Sequence, residues 1–234
     1  MKKLLYIFLV LLLSSQAMAV TKYYARSSSA AAGPTGEVST DTDNFTTVPT
    51  SKNTPLDMST SKGSSQVSVT GVYNLSGTSY AMVRMFVGPA LAAQTLTASA
   101  ANYTFAVGNQ ESNGNMNLYP RFFMYVWRSG TGNVKTIITP TSEATESATA
   151  ETGYTTTATG EAGDFSIELN DRIVVEMWWY INNTREANYT ASFYFEGATD
   201  PVDGTATSDA ATYFQLPQTL TEPTAAFTPI IIQY

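Results

Sequence analysis

An all-β fold is what this sequence predicts: an antiparallel β-sandwich of jelly-roll type, with eight or nine strands. Three observations point there. Short runs rich in β-branched and aromatic residues recur along the chain, bounded by Gly, Pro, Asn and Asp. Several runs alternate between an apolar row and a mixed row, as a strand with two unlike faces does. "GPALAAQTL" is the one window that could carry helical periodicity, and many strands with almost no helix imply a sandwich or barrel.

The chain has 234 residues. Lys2 and Lys3, the apolar run Leu4 to Leu13 and the small-residue pattern Ala17-Met18-Ala19 read as a secretory signal peptide over residues 1–19. The apolar run is well short of the roughly 20 residues a spanning helix needs, so no membrane span is expected once the leader is cut. Residues 20–65, rich in Ser, Thr, Gly and Pro from 27 onward, read as an extended or disordered arm. The sandwich domain then occupies 66–234. Its strand candidates are 67–73, 80–88, 103–108, 121–128, 134–138, 165–169, 172–181, 189–196 and 228–234, with 139–163 and 197–226 as long loops.

Composition removes several chemistries. The chain has no Cys and no His, so Ser-His and Cys-His nucleophile systems and thiolate or imidazole zinc sites are excluded. An exported protein without disulfides must rely on burial in a fairly large core. The leader carries two of the 12 basic residues and none of the 19 acidic ones, leaving 10 against 19 and a net charge of −9. That balance opposes binding to nucleic acid or anionic membranes.

The alternation assigns faces. In 172–181, Ile173, Val175, Met177, Trp179 and Ile181 form an apolar row, and Arg172, Glu176, Trp178 and Tyr180 lie opposite with Val174. The charges mark the second row as the wetter one, so Trp179 is expected in the core and Trp178 outside. In 121–128, Phe122, Met124 and Val126 face in, while Phe123, Tyr125 and Trp127 share a row with Arg121. In 80–88, Ala81, Val83, Met85 and Val87 are expected on one face. If 121–128 and 172–181 are neighbours, Trp178, Tyr180, Trp127 and Tyr125 make an aromatic patch bordered by Arg121 and Glu176. Rings with polar tips suit carbohydrate stacking, a protein interface or a further layer of packing.

Glycoside hydrolysis would need two facing carboxyls; Glu176 with a second acid such as Glu168 is the pair to consider, yet no strand carries a tight acidic cluster. A metal would have to be oxygen-ligated, as calcium is. Asp41 to Asn44 ("DTDN") opens like a calcium loop without its Gly or closing Glu, and Glu196, Asp200 and Asp203 are the other weak candidates. No cofactor is expected. The closing "FTPIIIQY" reads as a last strand, or as a strand donated to a neighbour.

"GPALAAQTLTASAANYTFAVGNQESNGNMNLYPRFFMYVWRSGTGNV" and "GDFSIELNDRIVVEMWW" together resemble poorly characterised β-sandwich domains of exported or phage-like structural proteins. The resemblance spans about residues 80–196. It implies a structural or binding role and carries over no catalytic or ligand residue. With the leader, the expectation is a secreted, non-catalytic subunit at the cell surface or in the periplasm. It would be structural or adhesive, and its partners would be copies of itself, other surface proteins or polysaccharide. The alternatives are a carbohydrate-binding module using the aromatic patch and a glycan hydrolase using Glu176.

Overall fold

The computed structural model describes residues 20–39, 49, 51–74, 76–97, 102–161, 163–183 and 186–224. The expected leader (1–19), "DTDN" and the tail strand (228–234) lie outside the described residues. Thirteen strands follow in chain order: β1 (Thr21–Ser29), β2 (Leu56–Ser59), β3 (Val67–Tyr73), β4 (Gly77–Val87), β5 (Gln94–Leu96), β6 (Asn102–Glu111), β7 (Leu118–Arg128), β8 (Gly132–Ser142), β9 (Thr152–Thr159), β10 (Phe165–Ile167), β11 (Arg172–Asn183), β12 (Tyr189–Phe195) and β13 (Tyr213–Leu216). No helix occurs among the described residues. "GPALAAQTL" instead supplies β5, which pairs with β10 in a small second sheet.

Eight of these strands form a jelly roll. One half runs β3-β12-β6-β9 and the other β4-β11-β7-β8, with every pairing antiparallel. The chain passes back and forth between the halves, as the double Greek key of a jelly roll requires. Side chains close the gap. Phe105 of β6 stacks on Phe122 of β7, with ring centroids 4.7 Å apart, although many strands separate the two along the sheet. Phe86 of β4 meets Phe195 at 5.4 Å and Phe214 at 5.8 Å. Such large fully buried rings, each contributing about 2–3 kcal/mol through apolar burial, hold the two halves together.

Residues 20–65 depart from the expected loose arm. β1 and β2 belong to the sheet: β13 pairs with β6 over Thr104–Ala106, β1 joins β13 to β2, and β2 runs parallel to the end of β4. This stitch makes the two halves one continuous eleven-stranded sheet. Tyr23, Tyr24 and Ala25 are buried in it. The supposed loops likewise hold β9 and β13. Polar composition hid β9, "TGYTTTAT", because Thr is polar in character and β-branched in shape, and shape decides its strand preference.

Strict alternation also fails in β4. Met177 pairs with Arg84 and Trp178 with Met82, so Val83 is an extra residue, a β-bulge. The bulge changes the phase. Ala81, Val83 and Phe86 face the main core, whereas Met82, Met85 and Val87 face outward. One inserted residue moves every later side chain to the opposite face, so the expected row of Ala81, Val83, Met85 and Val87 is split.

Candidate functional site

The outer face of β4, β11 and β7 carries the residues singled out in the sequence. The expected division of rows holds in β11: Ile173, Val175, Met177, Trp179 and Ile181 all enter the main core. The expected exposure does not. Trp178 and Trp179 are both 0% exposed. Trp178 and Tyr125 form a second apolar cluster with Met82, Met85, Val87, Phe123 and Val174.

What encloses them is a strap, residues 30–39. Ala30 and Val38 pack on the cluster, and Pro34 is buried. At Gly33 an added Cβ would lie 2.9 Å from Val87 Cγ2 and 3.1 Å from Pro55; only glycine lets the strap approach so closely. Ala30 N–H donates to Pro55 O at 3.0 Å, and the Lys52 ammonium pairs with Glu37 at 3.3 Å.

Glu176 holds the strap down. Val38 N–H donates to Oε1 at 2.6 Å and Ser39 N–H to Oε2 at 3.1 Å. From below, Tyr125 OH donates to Oε1 at 3.3 Å and Trp178 Nε1–H to Oε2 at 3.1 Å. Four donors thus converge on one side chain that is itself 0% exposed. Burial pushes the Glu176 pKa up, against the opposing pull of the four hydrogen bonds. Burial and the Glu176 charge also push the Tyr125 phenol up, so it remains a donor.

The proposed patch therefore divides. Glu176, Trp178 and Tyr125 are in contact and sealed. Tyr180 and Arg121 lie beyond the strap in a half-buried ladder that the sequence reading only partly identified. Tyr180 stacks between Tyr80 and Tyr119, 5.5 Å from each, and the Arg121 guanidinium lies 5.1 Å from the Tyr80 ring. These rings spend faces on one another, which leaves less ring face free to stack on a sugar. Trp127 is half-buried and packs at the margin of the second cluster. The cross-strand register, Tyr80 opposite Tyr180 opposite Tyr119, is the signal that would have found the ladder.

The other carboxylates are held by separate partners. Glu168 is exposed and pairs with Arg128, whose Nε and Nη2 also grip Asp171 at 2.8 Å each. Burial alone would raise the Asp171 pKa. The Arg128 and Glu168 N–H bonds outweigh it and hold the carboxyl below its ordinary range. Glu196 accepts from Arg26 and Ser27, Asp200 lies between Lys22 and Lys62, and Asp203 accepts from Thr155 N–H. Among the described residues no group of three or more ligating side chains could hold a metal ion.

Glu111, 1% exposed, is buried as Glu176 and Asp171 are. It accepts Leu118 N–H at 3.0 Å, and its own N–H donates to Ala148 O. Close by, Trp179 Nε1–H donates to Asn109 and Asn109 to Ser147, so the 143–151 loop is sewn to the sheet. Burial first, and the neighbouring Glu146 charge next, push the Glu111 pKa up to about 8. Unfolded, it titrates near 4.5. The native state therefore holds an extra proton between these values. Its stabilising effect is complete below about 4.5 and lost as pH rises through about 8. Urea midpoints should be higher at about pH 5 than at about pH 9, and Glu111→Gln should flatten that difference. An unchanged pH profile in the variant would contradict the assignment.

Compared with protein-family models and with curated proteins, the chain matches none. A solved structure of the infectious bursal disease virus Gx strain is similar over 66% of this chain and 33% of that chain, at 11% identity and a TM-score of 0.25. This chain thus spans about a third of the viral chain.

Proposed function

We propose that the protein is a secreted, non-catalytic structural or adhesive subunit of the cell surface that associates with copies of itself. One observation carries this reading: the richest aromatic surface of the jelly roll is closed by the chain's own strap, and the buried Glu176 serves as the anchor. A hydrolase using Glu176 would need that carboxyl open to substrate, and a glycan platform would need Trp178 and Tyr125 open. The leader-like start, the absence of His and Cys, and the apolar closing segment support the same reading. Jelly rolls serve many functions, so the fold alone does not decide.

Among the described residues the large apolar side chains left exposed are Val20, Leu169 and Val202, too scattered to form a docking patch. Association would therefore depend on backbone edges or the tail. Sedimentation of residues 20–234 should show concentration-dependent oligomers, and deletion of 228–234 should abolish them. A monomer at every concentration would count decisively against the proposal.

A further inference from the structure

Every open sheet edge is a template for another chain, and proteins ordinarily blunt it with charge, proline, bulges or cover. Among the described residues, three of the four edges of this jelly roll are blunted. β4 carries the Val83 bulge and Arg84, and β2 pairs with its end. β8 carries Lys135 and Pro140, breaks register with β7 three times, and accepts Glu161 N–H at Ile137 O. Beside β9, Gly153 N–H donates to Thr205 O, Gly204 N–H to Gly153 O and Thr207 N–H to Glu151 O, so a loop covers that end.

Among the described residues β3 has none of these devices. "VSVTGVY" contains no charge and no proline. Its register with β12 is unbroken from Val67 opposite Phe195 to Tyr73 opposite Tyr189, and among the described residues β12 is the one strand that pairs with it. Ser68 and Thr70 are exposed on its outer row. It is an uncharged edge seven residues long with no break in register.

We infer that β3 is the acceptor for the closing segment of a second copy, "TPIIIQY", residues 228–234. This rests on the self-association reading above and names its contact. The donor segment matches the edge: seven residues, uncharged, with three consecutive isoleucines and the β-branched shape a strand favours. Main-chain hydrogen bonds would supply affinity, as in other strand additions.

The chain's own edge is the less suitable acceptor. Thr221 is held at β5 by Gln94 and Ala92. β3 begins beside Phe195, next to Glu196, which holds Ser27, whereas Leu220 sits at Thr21. From Thr21 to Ser27 is about 20 Å of strand, and the seven steps from Thr221 to Thr228 reach about 23–25 Å at most, so a return would hold 222–227 close to full extension. A neighbour's edge imposes no such stretch. Tail to edge is a head-to-tail contact between unlike surfaces, and repeated without closure it generates a filament.

The absence of native cysteine makes the test direct. Full-length mature chains carrying Thr70→Cys are mixed with chains carrying Ile230→Cys, Ile231→Cys or Ile232→Cys, and oxidised. The expected result is a disulfide-linked heterodimer for at least one pairing. Ser68→Lys with Thr70→Lys should weaken association ~tenfold or more while leaving the melting temperature unchanged. Assembly that survives the lysine pair, or a crosslink formed only within a single chain carrying both cysteines, overturns the edge assignment and leaves self-association standing. A wild-type chain that stays monomeric overturns both.

Discussion

Glu176→Ala should lower the unfolding free energy by about 2–4 kcal/mol and free the strap. The substitution removes the acceptor shared by Val38 N–H, Ser39 N–H, Trp178 Nε1–H and Tyr125 OH. Each buried donor left without a partner costs about 1–3 kcal/mol. The strap can lift and let water satisfy some of them, which keeps the total below the sum. Lifting has its own signature: Trp178 becomes wet, its fluorescence moves to the red, and residues 30–39 become open to proteases. Glu176→Gln should fall between wild type and Ala, because the amide keeps one carbonyl acceptor and turns two hydrogens toward the remaining donors. Glu37→Gln, which removes only the half-exposed partner of Lys52, should cost far less. Urea midpoints together with emission spectra check the series. A Glu176→Ala protein within about 0.5 kcal/mol of wild type, with unshifted emission, would mean that the carboxyl does not hold the strap.

The second large effect concerns the adjacent tryptophans, equal in burial and unequal in setting. Trp179→Ala should cost about 3–5 kcal/mol. Its indole lies in the main core and donates to Asn109 at 3.0 Å. A cavity there is walled by both halves of the jelly roll and cannot collapse. Trp178→Ala should cost less, by about 1 kcal/mol or more, because one wall of its cavity is a strap that can settle or open; the cost of a cavity depends on how far its walls relax. Denaturant unfolding of the two variants decides the order, and a costlier Trp178→Ala would show that the strap is as rigid as the sheet.

Much of the strand framework was legible in the chain. β3 was readable residue for residue, and β7, β11 and β12 to within a few, since alternating aromatic and β-branched residues between turn formers leave little room for a different fold. The rows of β11 and β7 were readable for the same reason. β1, β9 and β13 were not. Thr, Ser and Tyr give β1 and β9 a polar average that erases strands whose apolar residues are few but buried, and β13, "YFQL", is too short to show an alternation of its own. The β4 bulge was also invisible: nothing in "YAMVRMFVG" says that Val83 is the extra residue, because a bulge is a property of two strands in register.

Within the site, the grouping of Trp178, Tyr125 and Glu176 was foreseeable from the rows, and their burial was not. Composition by itself determined that no imidazole or thiolate chemistry operates here, and period-two patterning determined that Trp178 and Trp179 point to opposite faces. Only the tertiary structure decided that both faces are dry. Alternation reports which side of a sheet a residue occupies, whereas dryness depends on what lies above that side. Here the cover is Val38 and Ser39, almost 140 residues before Glu176 in sequence and attached largely through backbone N–H groups, which every non-proline residue carries and no sequence pattern distinguishes.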